Sequence, residues 1–134
     1  VEVIFGDVLK QDLPALVKEH FAGMRCAVCA NLPYNVTSPL LTAFIEAECF
    51  IILTSIEKVA INFGKENEKW LDEVTTKEMR EYVSQGHFAP GSMKPKVEAA
   101  IEFAESKEGR YSLITLLEKA KYGIEGKTGT KIYK

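Results

Sequence analysis

Three short patterns in the chain have residue types and spacing that could support chemistry: Cys26-Ala27-Val28-Cys29, Gly126-Lys127-Thr128, and the polar turn Asn31-Leu32-Pro33-Tyr34-Asn35. A Cys-x-x-Cys pair suggests redox work or half of a zinc site. Its setting argues against both. Residues Arg25 to Ala30 read as a buried strand, in which side chains three apart point to opposite faces, and no helix start is present to lower a thiol pKa. With Cys49 the chain has 3 cysteines, too few and odd in number for a disulfide framework. Gly126-Lys127-Thr128 matches the end of a phosphate-binding P-loop, but Lys121 stands where the leading glycine belongs. The segment also leaves a helix and enters a strand, the reverse of the order a P-loop needs. His20 and His87 have no cysteine or carboxylate at ligand spacing and read as surface or capping residues. No metal site and no cofactor are expected from these patterns.

The elements that must position such residues follow from hydrophobic period and turn chemistry. Val1 to Phe5 and Arg25 to Ala30 read as strands, and Asp12 with Pro14 opens a helix through about His20. Thr37 or Ser38 opens a second helix, in which Leu40, Leu41, Phe44 and Ile45 recur at helical spacing. Phe50 to Thr54 is a continuous apolar run, as in a strand covered on both faces. Between 57 and 74 the pattern predicts a hairpin excursion, with Val59 to Phe63 as a short strand and Gly64 to Asn67 as its turn. Thr75 with Glu78 is a capping box for a helix ending near Gln85-Gly86. Ser92 and Pro95 open a helix whose apolar face is Val97, Ala100, Ile101 and Ala104. A strand at Tyr111 to Thr115, a helix from Leu116 to Ile124 and a last strand at Thr128 to Tyr133 complete the chain. The alternation predicts a three-layer, Rossmann-like α/β domain over residues 1–134, with a mostly parallel sheet of about five strands and helices on both faces.

Length and composition fit that picture. The 134 residues are 46% apolar and 27% charged, a globular balance for one domain that buries roughly two-thirds of its unfolded surface. A net charge of -2 makes nucleic acid an unlikely partner except at a local patch. The most apolar stretch, Leu40 to Leu53, is broken by Glu46 and Glu48 and is too short to span a bilayer. No secretory signal is evident, so a soluble, cytoplasmic protein with no required partner is expected.

The first 49 residues resemble the ribosomal RNA adenine dimethyltransferases, through Val1 to Leu9 and through Asn31-Leu32-Pro33-Tyr34. That resemblance implies that Asn31 and Pro33 accept hydrogen bonds from a target adenine, that Tyr34 stacks on it, and that Asp7 contacts the adenine of the methyl donor. The glycine-rich donor loop and the ribose carboxylate are missing. From Phe50 onward the chain is similar to the carboxyl-terminal part of carbamate kinase, through Ile51 to Thr54, Asn62-Phe63-Gly64-Lys65, Gly86 to Ala100 and Gly126 to Ile132. This second resemblance implies an ATP-holding half in which Lys96 reaches the phosphates. The chain departs from it at Ser55 and Ala60, where an acidic and an aromatic residue are usual.

Taken together, the two resemblances imply an engineered chimera joined near Cys49-Phe50. In it Asp7, Asn31, Pro33, Tyr34 and Lys96 are vestiges and no native catalysis is expected. The alternative is residual ATP or ADP binding by the kinase-like half; a weaker one is a methyltransferase fragment that binds adenine or RNA.

Overall fold

The computed structural model describes residues 10–24 and 47–134, and the chain divides into two compact units, Val1–Glu46 and Ala47–Lys134. The expected strands at Val1 to Phe5 and Arg25 to Ala30, the helix opened at Thr37 or Ser38, and residues Asp7, Cys26, Cys29, Asn31, Pro33 and Tyr34 lie outside the described residues. In the first unit, helix α1 (Leu13–Phe21) starts as its sequence requires: the Asp12 side chain accepts the Ala15 N–H at 3.0 Å and a proline occupies the first turn.

The second unit holds a four-stranded mixed sheet built from β1 (Cys49–Thr54), β4 (Glu73–Thr75), β5 (Tyr111–Leu116) and β6 (Thr130–Tyr133), in the order β1-β5-β6-β4. β1 runs parallel to β5 and β4 parallel to β6, while β5 and β6 are antiparallel. Strands β2 (Val59–Ile61) and β3 (Lys69–Leu71) form the expected antiparallel hairpin. Its turn uses Gly64 at φ +75°, where an L side chain would be strained, and the Gly64 N–H donates to Glu68 at 2.6 Å.

Helix α2 (Thr76–Ser84) begins with the predicted capping box: the Glu78 N–H donates to the Thr75 hydroxyl while the Thr75 N–H donates to the Glu78 carboxylate. Helix α3 (Met93–Glu105) buries Val97, Ala100, Ile101, Phe103 and Ala104. Alternation along β5 then assigns the two faces of the sheet. Ser112 donates to the Ala100 carbonyl at 2.8 Å, and Ile114 packs with Val97 and Ile101, so these residues face α3. Leu113 and Thr115 face the other way, toward the short helix α4 (Ala120–Ile124), where a Cβ on Gly123 would stand 3.1 Å from both side chains. Helices therefore cover both faces, the three-layer arrangement that the alternating sequence predicts. Each fully buried aliphatic side chain in the α3 layer contributes about 1.5–3 kcal/mol.

The second unit differs from expectation in several details. Two of the sheet's three pairings are parallel as expected, but β5–β6 is antiparallel because the chain returns through a short helix and a tight loop rather than a long crossover. β1 is half-buried along its whole length rather than covered on both faces, since among the described residues it pairs on one side only. The expected helix from Leu116 is a 3₁₀ turn (Leu117–Lys119) followed by α4, and β6 starts at Thr130 rather than Thr128. Among the described residues no helix is long and apolar enough to cross a membrane.

Candidate functional site

Because β1 and β5 are parallel and in register from Cys49↔Tyr111 to Thr54↔Leu116, their carboxyl ends lie side by side. Open α/β sheets place ligands at that end, where strand-to-helix loops diverge. Four segments of the second unit meet there: the loop after β1 (55–58), the start of α3, the 3₁₀ turn after β5, and the loop that carries Gly126-Lys127-Thr128-Gly129.

Lys96 lies in the first turn of α3, and its part-buried ammonium donates to the Thr54 hydroxyl at the last residue of β1, at 2.9 Å. Among the described residues no carboxylate pairs with it. Neighbouring Lys94 instead pairs with Glu98 one turn on, at 3.9 Å. The helix start carries no acidic residue and receives no hydrogen bond from the Ser92 side chain. Its entry is held by a backbone turn, in which the Ser92 and Lys94 N–H groups both donate to the Ala89 carbonyl.

Glu57, in the loop after β1, accepts from Lys119 at 2.7 Å and from the Thr128 hydroxyl at 2.6 Å. These two donors hold its carboxyl below the usual range. The Thr128 loop is itself fixed against β5: Gly129 has φ +88°, and a Cβ there would fall 2.8 Å from Leu113 and 3.1 Å from the Ile114 carbonyl. Thr115, fully buried at the end of β5, has a hydroxyl with no hydrogen-bond partner among the described residues. At the base of the hairpin, Lys58 pairs with Asp72.

The other end of the sheet has a different character. A concavity of about 500 Å³ opens beside Tyr111 and Tyr133. Lys131 spans it, 5.4 and 5.7 Å from the two ring centres and 3.5 Å from Glu73. Cys49, half-buried near this end, has its thiol pKa raised by burial, which suits a structural residue rather than a nucleophile. Among the described residues no group of three His, Cys, Asp or Glu side chains could hold a metal ion. His87 contacts Gln85 at 3.0 Å and the edge of Tyr82, as a capping role suggests. Trp70 lies opposite buried Ala60 in the hairpin and meets Phe63 edge-on at 6.2 Å.

Of the site residues read from sequence, Lys96 is the one within the described residues. Its partner Thr54, and the Glu57–Lys119–Thr128 cluster, were not anticipated. The available signal was position, since Thr54 and Glu57 stand just where an apolar strand gives way to polar residues.

A model of the amino acid kinase family matches residues 22–115. The carbamate kinase-like protein YqeA of Escherichia coli is 60% identical over 95 residues, covering 71% of this chain and 31% of that protein. Carbamate kinase of Staphylococcus haemolyticus is 44% identical over 119 residues, covering 89% of this chain and 38% of the relative. Carbamate kinase from Giardia lamblia bound to AMP-PNP superposes with a TM-score of 0.66 at 39% identity, over 73% of this chain and 33% of that one. The chain thus spans about a third of the length of these relatives.

These matches correct the expectation of an engineered chimera. The family model starts at residue 22 and runs unbroken through Asn31-Leu32-Pro33-Tyr34 and the supposed seam at Cys49-Phe50, and the staphylococcal alignment is longer still. With the family's pattern matched over residues 22–115, the chain belongs to the amino acid kinase family.

Proposed function

We propose that this chain contributes the nucleotide-binding part of a carbamate kinase-type phosphotransferase, with Lys96 as a contact to the phosphates of ATP or ADP. The observation that carries the reading is the state of Lys96. A cation in the first turn of a helix opposes the helix dipole, and here it rests on the neutral Thr54 hydroxyl rather than on a carboxylate. An ammonium so placed gains its counter-charge when a phosphate enters at the carboxyl ends of β1 and β5. The AMP-PNP-bound relative from Giardia lamblia supports the same ligand class.

Turnover by these 134 residues alone is not part of the proposal. Phosphoryl transfer depends on holding donor and acceptor in line with their charge neutralised, and this chain corresponds to about a third of its relatives. The test is calorimetric titration with ATP and ADP, paired with thermal melts. We expect saturable binding that Lys96→Ala weakens by roughly tenfold or more, the scale of a charge-assisted contact. No binding by the parent chain, or equal binding by Lys96→Ala, would sink the assignment.

A further inference from the structure

The Gly126-Lys127-Thr128-Gly129 loop is not a P-loop, yet its threonine still donates to an anion: the Glu57 carboxylate, which also receives the Lys119 ammonium. A carboxylate held by one ammonium and one hydroxyl copies the contacts of a phosphate oxygen pair. The donors come from positions 62 and 71 residues away from Glu57, on two different loops, so local sequence does not force the cluster. The Thr128 loop packs closely on β5, where a Cβ on Gly129 would fall 2.8 Å from Leu113 and 3.1 Å from the Ile114 carbonyl. Glu57 itself sits on a turn and is partly exposed, so it can swing away into water.

We propose that Lys119 and Thr128 form a second phosphate-binding subsite, which Glu57 occupies as an internal stand-in for the anion. Lys96 and this cluster are anchored three residues apart, at Thr54 and Glu57, within about 10 Å of extended chain. One polyphosphate can therefore reach both. The ligand class is a phosphate oxyanion, either on the nucleotide of the reading above or as free polyphosphate. An incoming phosphate must displace Glu57, so the stand-in lowers the affinity of the resting protein.

This makes the sign of the test unusual. Inorganic pyrophosphate and ATP are titrated calorimetrically into the parent chain, Glu57→Gln, and Glu57→Gln combined with Lys119→Met, after circular dichroism has checked each fold. Glu57→Gln keeps the shape but removes the competing charge, and it is expected to bind pyrophosphate roughly tenfold more tightly, the value of one charge-assisted contact. Lys119→Met should erase that gain. A gain shared by ATP assigns the subsite to the nucleotide's phosphate chain, and a gain for pyrophosphate alone assigns it to the free anion. Unchanged or weaker binding in Glu57→Gln, or a gain that survives Lys119→Met, overturns the proposal. A merely structural Glu57 would lower stability without raising affinity. If Glu57→Gln fails to fold, carbon-13 shifts of the glutamate carboxylates in the parent chain replace it, and no perturbation at Glu57 on saturation with pyrophosphate overturns the proposal equally. Adding Lys96→Ala to Glu57→Gln separates the two readings, because the pyrophosphate gain should persist where the Lys96 contact has gone.

Discussion

Replacing Gly129 by alanine tests how rigidly the loop carrying Thr128 is held. The residue has φ +88°, and its added Cβ would lie 2.8 Å from Leu113 Cδ1, 3.0 Å from Thr115 Cβ and 3.1 Å from the Ile114 carbonyl oxygen. Backbone strain for an L residue in that region costs about 1–2 kcal/mol, and overpacking against a strand costs about 1–3 kcal/mol more. The carbonyl cannot move without disturbing β5. Gly126 provides the control, because it has φ +73° but open space where its Cβ would stand. Gly126→Ala should therefore cost only the backbone part. In urea, followed by Trp70 fluorescence, Gly129→Ala is expected to lower the midpoint by about 1–2.5 M for a slope near 2 kcal/mol/M, and Gly126→Ala by about 0.5–1 M. Equal shifts for the two variants would show that the wedge against β5 does not exist.

Two further perturbations follow from hydrogen bonds between distant segments and at a helix start. Thr130→Val should cost about 1–3 kcal/mol, because the hydroxyl accepts from the buried Val59 N–H at 2.8 Å and donates to the Leu71 carbonyl at 2.6 Å, and valine leaves both unpaired; Thr130→Ser should restore most of the loss in the same denaturation assay. Thr75→Ala should remove about 1 kcal/mol of capping from α2. It should also flatten the acid limb of stability. Glu78 has its pKa lowered from 4.5 by hydrogen bonds from Thr75, so its contribution is present above the unfolded value and is lost as pH falls through the folded one. Melting temperatures from about pH 5 down to about pH 3 should therefore drop more steeply in the parent than in Thr75→Ala, and parallel curves would contradict the link.

Local signals in the sequence were reliable where one element determines its own form. The capping box at Thr75, the apolar face of Val97, Ala100, Ile101 and Ala104, and the Gly64 turn of the hairpin all rest on interactions within a few residues. β4 escaped notice because its three residues are too few to show a period and run directly into the α2 cap. The antiparallel β5–β6 pairing is decided by where the chain can go after Gly126, which no strand pattern records. Lys96 was singled out through a resemblance, whereas nothing in the sequence pointed to Glu57, whose partners are brought to it by folding alone.

Charge at the carboxyl edge of the sheet shows why whole-chain arithmetic says little about binding here. The net charge of -2 describes the molecule at a distance, but the edge is built from pairs. Lys119 is matched by Glu57, Lys58 by Asp72, and Lys94 by Glu98. Lys96 alone among these lysines rests on a neutral hydroxyl, at the end of β1. Moving Glu57 aside takes the carboxylate from Lys119 without changing the net charge of the chain. On the proposed reading a phosphate meets a field set by which carboxylate is in place, and salt should weaken its binding more strongly in Glu57→Gln than in the parent chain.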